Sequence, residues 1–155
     1  MSTITFIDTS VLCDLLRVPG KSQRAEEAEA ELARRQDRGE RFILPLSTII
    51  ETGNHVEQAA DNRPAAEAFT RFVQAAIDGG GPFQANTVTW DASFLDRLLS
   101  GATTGVAFVD LAANHQLGSG DVAILVERDL FVASTAFRPQ DVEIWTHDAR
   151  LTAYA

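Results

Sequence analysis

The segment ITFIDTSVLCDLL, residues 4–16, carries the pattern that decides the fold. Its first part, Ile4 to Ile7, is a short apolar run rich in residues that favour β-strands, and Asp8 ends it. From Thr9 to Arg17 the apolar side chains recur at helical spacing. The segment therefore predicts a strand, a carboxylate at the end of that strand, and a helix directly after it.

Strands and helices alternate along the rest of the chain. Phe42 to Leu44, Asn86 to Trp90 and Val142 to Trp145 are typical of further strands. Further helices are predicted over 22–38, from a cap at 47, over 63–77, 91–99 and 106–115, from about 121, and over 149–154. Strands joined by helices pair in parallel through right-handed crossovers, and the helices cover both faces of the sheet. The predicted fold is α/β, a three-layer α/β/α domain with a mainly parallel central sheet that spans residues 1–155.

The composition is that of a globular protein with a surplus of acid. Of the 155 residues 45% are hydrophobic and 23% charged, and the formal net charge is −9 at pH 7. This balance argues against a protein that holds nucleic acid mainly through a broad basic surface. No secretory signal or bilayer-spanning apolar stretch is evident, so a cytoplasmic protein is expected. The single cysteine, Cys13, is expected to pack in the core.

Acidic residues follow two of the predicted strands. Asp8 and Asp148 each stand just past a strand end, and ligands bind to parallel sheets outside the carboxyl ends of their strands. Glu51 lies among apolar neighbours on a helix, and Asp121 falls in the first turn of another. One such acid is more often a cap or a solvated loop residue, so only their convergence predicts a site.

A divalent cation is the expected partner of these carboxylates. A carboxylate near apolar side chains needs a positive partner, yet the chain has one lysine, and most arginines lie in helices that look exposed. Oxygen ligands favour magnesium or manganese over zinc, and His55, His115 and His147 show no zinc-binding spacing.

Four motifs of the chain resemble, in order, those of the PIN-domain ribonucleases, and the chain is most similar to the VapC-type toxins of bacterial toxin–antitoxin pairs. The motifs are FIDTSVLCDLL (6–16), LSTIIETGNHV (46–56), GSGDVAILV (118–126) and IWTHDARL (144–151). Each motif is short, so the specificity of the resemblance lies in their order, spacing and secondary-structure context, which together cover nearly the whole chain.

The resemblance implies a metal-dependent endoribonuclease that is the toxin of a toxin–antitoxin pair. It implies that the catalytic and metal-binding residues are Asp8, Glu51, Asp121 and Asp148, with Mg²⁺ or Mn²⁺ as the cofactor. Asp8 and Asp121 would bind the ion directly, Glu51 would bind it through water or act as a general base, and Asp148 would complete the site. The implied partners are an RNA substrate, a small antitoxin protein and a second copy of the chain.

Hydroxyl groups beside these acids are expected to assist them through hydrogen bonds. The helpers implied by the same motifs are Thr9, Ser10 and Thr146.

Two other functions share part of this sequence pattern. A strand that ends in Asp also opens the haloacid-dehalogenase-type phosphatases, but these need a second Asp two residues later, where this chain has Ser10. The other alternative is a PIN-like RNA-binding or protein-interaction module with weak or no catalysis, and the four intact carboxylates argue against it.

Overall fold

The computed structural model describes residues 3–155, so the first two residues of the predicted domain lie outside it. Over the described residues one sheet has four strands, β1 (Ile4–Ile7), β2 (Arg41–Leu44), β3 (Phe83–Ala85) and β4 (Val142–Trp145). The α-helices of this part of the chain are α1 (Thr9–Leu15), α2 (Ala25–Asp37), α3 (Leu46–Gln58), α4 (Arg63–Asp78), α5 (Ala92–Ser100), α6 (Phe108–Ala113), α7 (Ser119–Ser134) and α8 (Ala149–Thr152). A short 3₁₀ helix, Pro139–Asp141, precedes β4.

All strands of the sheet are parallel, in the order β3-β2-β1-β4. Strand β1 lies between two neighbours, with Phe6 opposite Ile43 on one side and Ile144 on the other. All four residues of β1 are buried, as expected for a central strand that is covered on both faces. Because parallel strands end at the same edge, the residues that follow β1 and β4 become neighbours, and the Asp8 N–H donates to the Trp145 carbonyl at 3.0 Å.

Helices pack on both faces of the sheet, which confirms the predicted three-layer α/β/α fold. Side chains of β1 alternate between the faces, because successive residues of a strand point to opposite sides. One core, built with α1 to α4, includes Ile7, Leu12, Phe42, Val56 and Trp145. The other, built with α5 to α8, includes Phe6, Phe94, Leu111, Ile124 and Leu151. Among residues 3–155, no helix combines the length and the apolar character that crossing a membrane requires.

The strand predicted at Asn86 to Trp90 is wrong, because β3 lies earlier, at Phe83–Ala85. Phe83 is buried, pairs in register with Phe42, and the two rings stack with their centroids 5.0 Å apart. The side-chain oxygen of Asn86 accepts from the Thr87 N–H at 3.0 Å, and residues 86–90 have no regular secondary structure. The β-branched and aromatic residues after Asn86 therefore do not form a strand, because the packing of Phe83 against β2 sets where pairing occurs.

Gly101 ends α5 in a backbone conformation that excludes larger residues. Its φ is 79°, in the left-handed region, and a Cβ there would lie 2.6 Å from the backbone carbon and oxygen of Val106. Gly101→Ala is therefore expected to lower the free energy of unfolding by about 2–5 kcal/mol, the sum of a left-handed conformation and a steric overlap with backbone. Urea denaturation followed by circular dichroism measures the loss.

Gly79→Ala provides the matched control for this substitution. Gly79 ends α4 with a φ of 68°, but a Cβ there would meet nothing within 4 Å. This variant should lose only about 1–2 kcal/mol, the cost of the left-handed conformation. Equal losses in the two variants would contradict the steric part of the argument.

Candidate active site

A pocket of about 500 Å³ opens at the edge of the sheet where β1 and β4 end. The residues that line it include all four predicted site residues, Asp8, Glu51, Asp121 and Asp148. They come from four separate segments: the end of β1, the middle of α3, the first turn of α7 and the turn after β4. The structure therefore brings the four acids to one pocket, although they differ in how their charges are held.

Asp8 is 7% exposed and is the most buried of the four. Its Oδ2 accepts hydrogen bonds from Ser10 Oγ at 2.8 Å and from Thr146 Oγ1 at 2.7 Å, so two of the predicted helpers do contact it. Its backbone carbonyl accepts the N–H groups of Val11 and Leu12, which begins α1. No described residue donates to Oδ1, so this oxygen remains available for a ligand.

Glu51 and Asp121 approach each other from α3 and α7. Glu51 Oε2 accepts from Thr9 Oγ1 at 2.9 Å, and Asp121 Oδ2 accepts from the Gly118 N–H at 3.0 Å. The carboxylate of Glu51 lies so close to Gly120 that a Cβ there would overlap Glu51 Oε1. Glycine at position 120 is therefore what lets α7 begin beside Glu51.

Burial and mutual repulsion both oppose the charges of these two acids. Burial raises the pKa of Glu51, and the nearby charges of Asp121 and Asp8 raise it further, against a hydrogen bond from Thr9. Burial likewise raises the pKa of Asp121, and Asp8 and Asp148 add to the effect, against a hydrogen bond from Gly118. Such a cluster of like charges is unfavourable for the protein alone, and a bound cation would offset the repulsion.

Asp148 differs because a cation of the same chain already compensates its charge. Its Oδ1 accepts from the Arg150 N–H at 2.8 Å, which caps α8, and its Oδ2 pairs with Arg150 Nη2 at 3.0 Å. These hydrogen bonds to Arg150 lower the pKa of Asp148. In this arrangement Asp148 lies at the rim of the pocket as half of an ion pair.

Asp14, which the sequence analysis missed, and His147 complete the wall of the pocket. Asp14 of α1 is 4% exposed, and its Oδ1 accepts from the Arg24 N–H at 3.1 Å. Its Oδ2 lies 3.1 Å from Nε2 of His147, in an alignment that does not form a hydrogen bond. His147 in turn donates its backbone N–H to Ser10 Oγ at 3.0 Å. The sequence feature that could have identified Asp14 is the presence of an acid within the apolar stretch of α1.

Cys13 and His55 also line the pocket. Cys13 is buried, as predicted, and burial raises the pKa of its thiol to about 11. The thiol is therefore protonated at neutral pH and is not a nucleophile. Burial lowers the pKa of His55, and the charge of Lys21 lowers it further, so this imidazole is neutral at the same pH.

A fully buried acid outside the pocket, Glu127 of α7, fixes the start of α3. Its carboxylate accepts from the Leu46 N–H at 3.0 Å, the Ser47 N–H at 3.3 Å and Ser47 Oγ at 2.9 Å. The prediction that Ser47 caps this helix is therefore wrong: Pro45 occupies the cap position, and the cap group comes from Glu127. Burial raises the pKa of Glu127, and these hydrogen bonds counteract the effect.

The donors of the pocket fit magnesium or manganese by their chemistry. Asp8, Glu51 and Asp121 offer hard carboxylate oxygens, which these ions prefer, and their mutual repulsion would be offset by a divalent cation. Within residues 3–155, however, no group of three His, Cys, Asp or Glu side chains is close enough to hold an ion as arranged.

Comparisons with known proteins add no relative to this description: no protein-family model, curated protein or solved structure matches the chain.

Replacement of Glu51 by its neutral analogue tests the repulsion in the pocket. Because the folded state raises the pKa of Glu51, its proton stabilises the fold at low pH, and this stabilisation is lost as the pH rises through the folded value. Without metal, Glu51→Gln should therefore melt at a higher temperature than the parent protein near pH 7. The difference should shrink near pH 4, where Glu51 itself takes up a proton. Differential scanning calorimetry in EDTA at both pH values measures it.

Glu57→Gln is the control. Glu57 is an exposed residue of the same helix, and its substitution removes the same charge from the protein. It should leave the melting temperature nearly unchanged at both pH values. A gain equal to that of Glu51→Gln would show that net charge, and not the pocket, is responsible.

Proposed function

We propose that the chain is a metal-dependent endoribonuclease of the PIN-domain type, which cleaves RNA phosphodiester bonds as the toxin of a toxin–antitoxin pair. The observation that carries the proposal is the convergence of Asp8, Glu51 and Asp121 in one half-buried pocket. A fold that holds like charges together at a cost to its stability is typical of a functional site. The order of the four motifs along the chain supports the same family.

Each acid has a distinct place in the proposed reaction. Asp8 and Asp121 would hold Mg²⁺ or Mn²⁺, with Asp148 at the rim completing the site. When bound, the ion activates a water molecule and stabilises negative charge on the phosphate. Ser10 and Thr146 orient the Asp8 carboxylate through Oδ2 and leave Oδ1 free.

Glu51 is suited to accept a proton from the attacking water. Its Oε2 is engaged by Thr9, so Oε1 is the proton acceptor. Burial, the largest cause of its raised pKa, makes Glu51 a stronger base than an ordinary carboxylate, and this favours proton transfer near neutral pH.

Cleavage of a mixed pool of structured RNAs tests the proposal. The purified protein should cut RNA with magnesium or manganese and not with EDTA. Asp8→Asn and Asp121→Asn should each lower the rate by at least about 100-fold, because each removes a charge that holds the ion. Gel analysis of end-labelled products measures the rates.

Asp91→Asn is the matched control for these two variants. Asp91 caps α5 by accepting the Phe94 N–H at 2.9 Å, and asparagine caps helices as well as aspartate does. Its activity should equal that of the parent protein. Full activity in Asp8→Asn would refute the proposed site.

A binding module without catalysis is the second candidate, and two observations favour it. Both oxygens of Asp148 are bonded to Arg150, and the acids of the described chain do not form a ready metal cluster. RNA that is bound but not cut in any metal would support this candidate over the nuclease.

The proposed partners follow from the surface of the protein. The acidic pocket suits a basic segment of an antitoxin, through charge complementarity. A toxin that cleaves RNA and the antitoxin that binds this toxin would both act in the cytoplasm. Leu95 and Leu99 of α5 and Val109 of α6 are 53%, 57% and 69% exposed, which supports a homodimer that covers them.

Replacement of apolar side chains tests the homodimer. Light scattering should give twice the 16.8 kDa of one chain for the parent protein. The double variant Leu95→Glu, Leu99→Glu should be a monomer with unchanged circular dichroism, because a charge on an apolar interface is costly to bury. A parent protein that is monomeric at high concentration would refute the dimer.

A further inference from the structure

Lys21 is the only lysine of a chain with a net charge of −9, and it lines the acidic pocket. The two arginines of the same pocket are already engaged, Arg24 with Glu27 at 2.6 Å and Arg150 with Asp148 at 3.0 Å. Lys21 is exposed and forms no ion pair with any acid of the described residues. Its charge is therefore available to a ligand of the pocket.

The turn that presents Lys21 is held in a defined conformation. The Lys21 N–H donates to the Val18 carbonyl at 2.9 Å, and Gly20 has a φ of 78°. Proline followed by glycine with positive φ is the pattern of a type II turn. Gln23 Nε2 also donates to the Gly20 carbonyl at 3.0 Å.

Both ends of this turn are anchored to the body of the protein. Val18 before the turn is fully buried, and Arg17 makes two hydrogen bonds to Glu29 of α2, each 3.1 Å long. After the turn, Asp14 accepts the Arg24 N–H. Anchoring of this kind lowers the entropy cost when a side chain of the turn binds a ligand.

The ammonium group of Lys21 acts on the side of the pocket that carries Glu51. Its charge lowers the pKa of His55, which lies one helical turn after Glu51 on α3, although burial is the larger cause. It also opposes, to a smaller extent, the effect of burial on the pKa of Cys13 of α1. The charge of Lys21 therefore affects residues of both α1 and α3, the helices that flank the carboxylates.

We infer that Lys21 binds a backbone phosphate of single-stranded RNA, next to the phosphate that is cut, and thereby places the strand across the carboxylates. This inference rests on the proposed nuclease function. A pocket of acids repels a polyanion, and the rest of the surface carries an excess of negative charge. One unpaired ammonium group at the rim supplies local attraction, and lysine serves phosphate as a compact point charge.

Variants at position 21 test the inference through the separation of KM from kcat. Lys21→Ala should raise KM for a short single-stranded RNA about tenfold and change kcat less than about twofold, because the contact holds substrate and transition state alike. The negative slope of log affinity against log salt should become shallower by about one unit. Lys21→Arg should restore KM, because it restores the charge.

Arg71→Ala is the matched control, because Arg71 is an exposed cation of α4 that does not line the acidic pocket. It removes the same charge from the protein. If Lys21→Ala and Arg71→Ala have the same KM and salt dependence, the inference is wrong, since net charge alone then explains both.

A binding measurement separates this inference from the proposed nuclease function. Calcium takes the same oxygen ligands as magnesium and replaces it in this measurement. Fluorescence anisotropy of a 5′-labelled RNA then gives the affinity of the protein for RNA. If the parent protein binds RNA without cutting it in any metal, the nuclease proposal fails, and the affinities of Lys21→Ala and Arg71→Ala still decide the role of Lys21. If the parent protein does not bind RNA at all, the inference is overturned together with the nuclease.

Discussion

The geometry of the acidic pocket depends on the buried carboxylate of Glu127. A buried charge is costly unless its oxygens accept enough hydrogen bonds, and here the donors come from the first turn of α3. The contact also places an acidic side chain at the positive end of that helix. Because α3 carries Glu51 and α7 carries Asp121, one interaction holds together the two helices that bring these acids into the pocket. Asn86, after β3, adds a weaker contact at 3.4 Å and ties the edge of the sheet to the same carboxylate.

The pocket itself is a site of local conflict within an otherwise consistent fold. Glu51 and Asp121 keep raised pKa values because burial and neighbouring charges act in the same direction. One hydrogen bond to each acid, from the Thr9 hydroxyl to Glu51 and from the Gly118 N–H to Asp121, counteracts this only in part. Natural sequences tolerate such conflict mainly where function requires it. This contrast between the pocket and the well-packed cores is the physical basis for the proposed nuclease site.

An acidic protein can bind a polyanion such as RNA if its positive charge is concentrated at the binding site. Most of its ion pairs join neighbours on one helix or loop, such as Arg34 with Glu31 and Arg138 with Asp141, so the charges of these arginines are compensated locally. Attraction for RNA would then come from the pocket, where bound cations and Lys21 would act together. Binding would be local, in contrast to proteins that hold nucleic acid on a broad basic surface.

The sequence by itself determined the alternation of strands and helices, the parallel sheet, and the positions of Asp8 and Asp148 just past strand ends. These features follow from apolar periodicity and chain connectivity, which are visible within short segments. The tertiary structure alone decided where β3 pairs, that Glu127 caps α3, that Asp14 is buried in the pocket wall, and that Arg150 engages Asp148. The caps and pairings depend on contacts between distant parts of the chain: Glu127 and Ser47 are 80 residues apart. Arg150 and Asp148 are close in sequence. Which acid Arg150 binds nevertheless depends on the positions of the side chains in the folded chain, and no local sequence pattern predicts it.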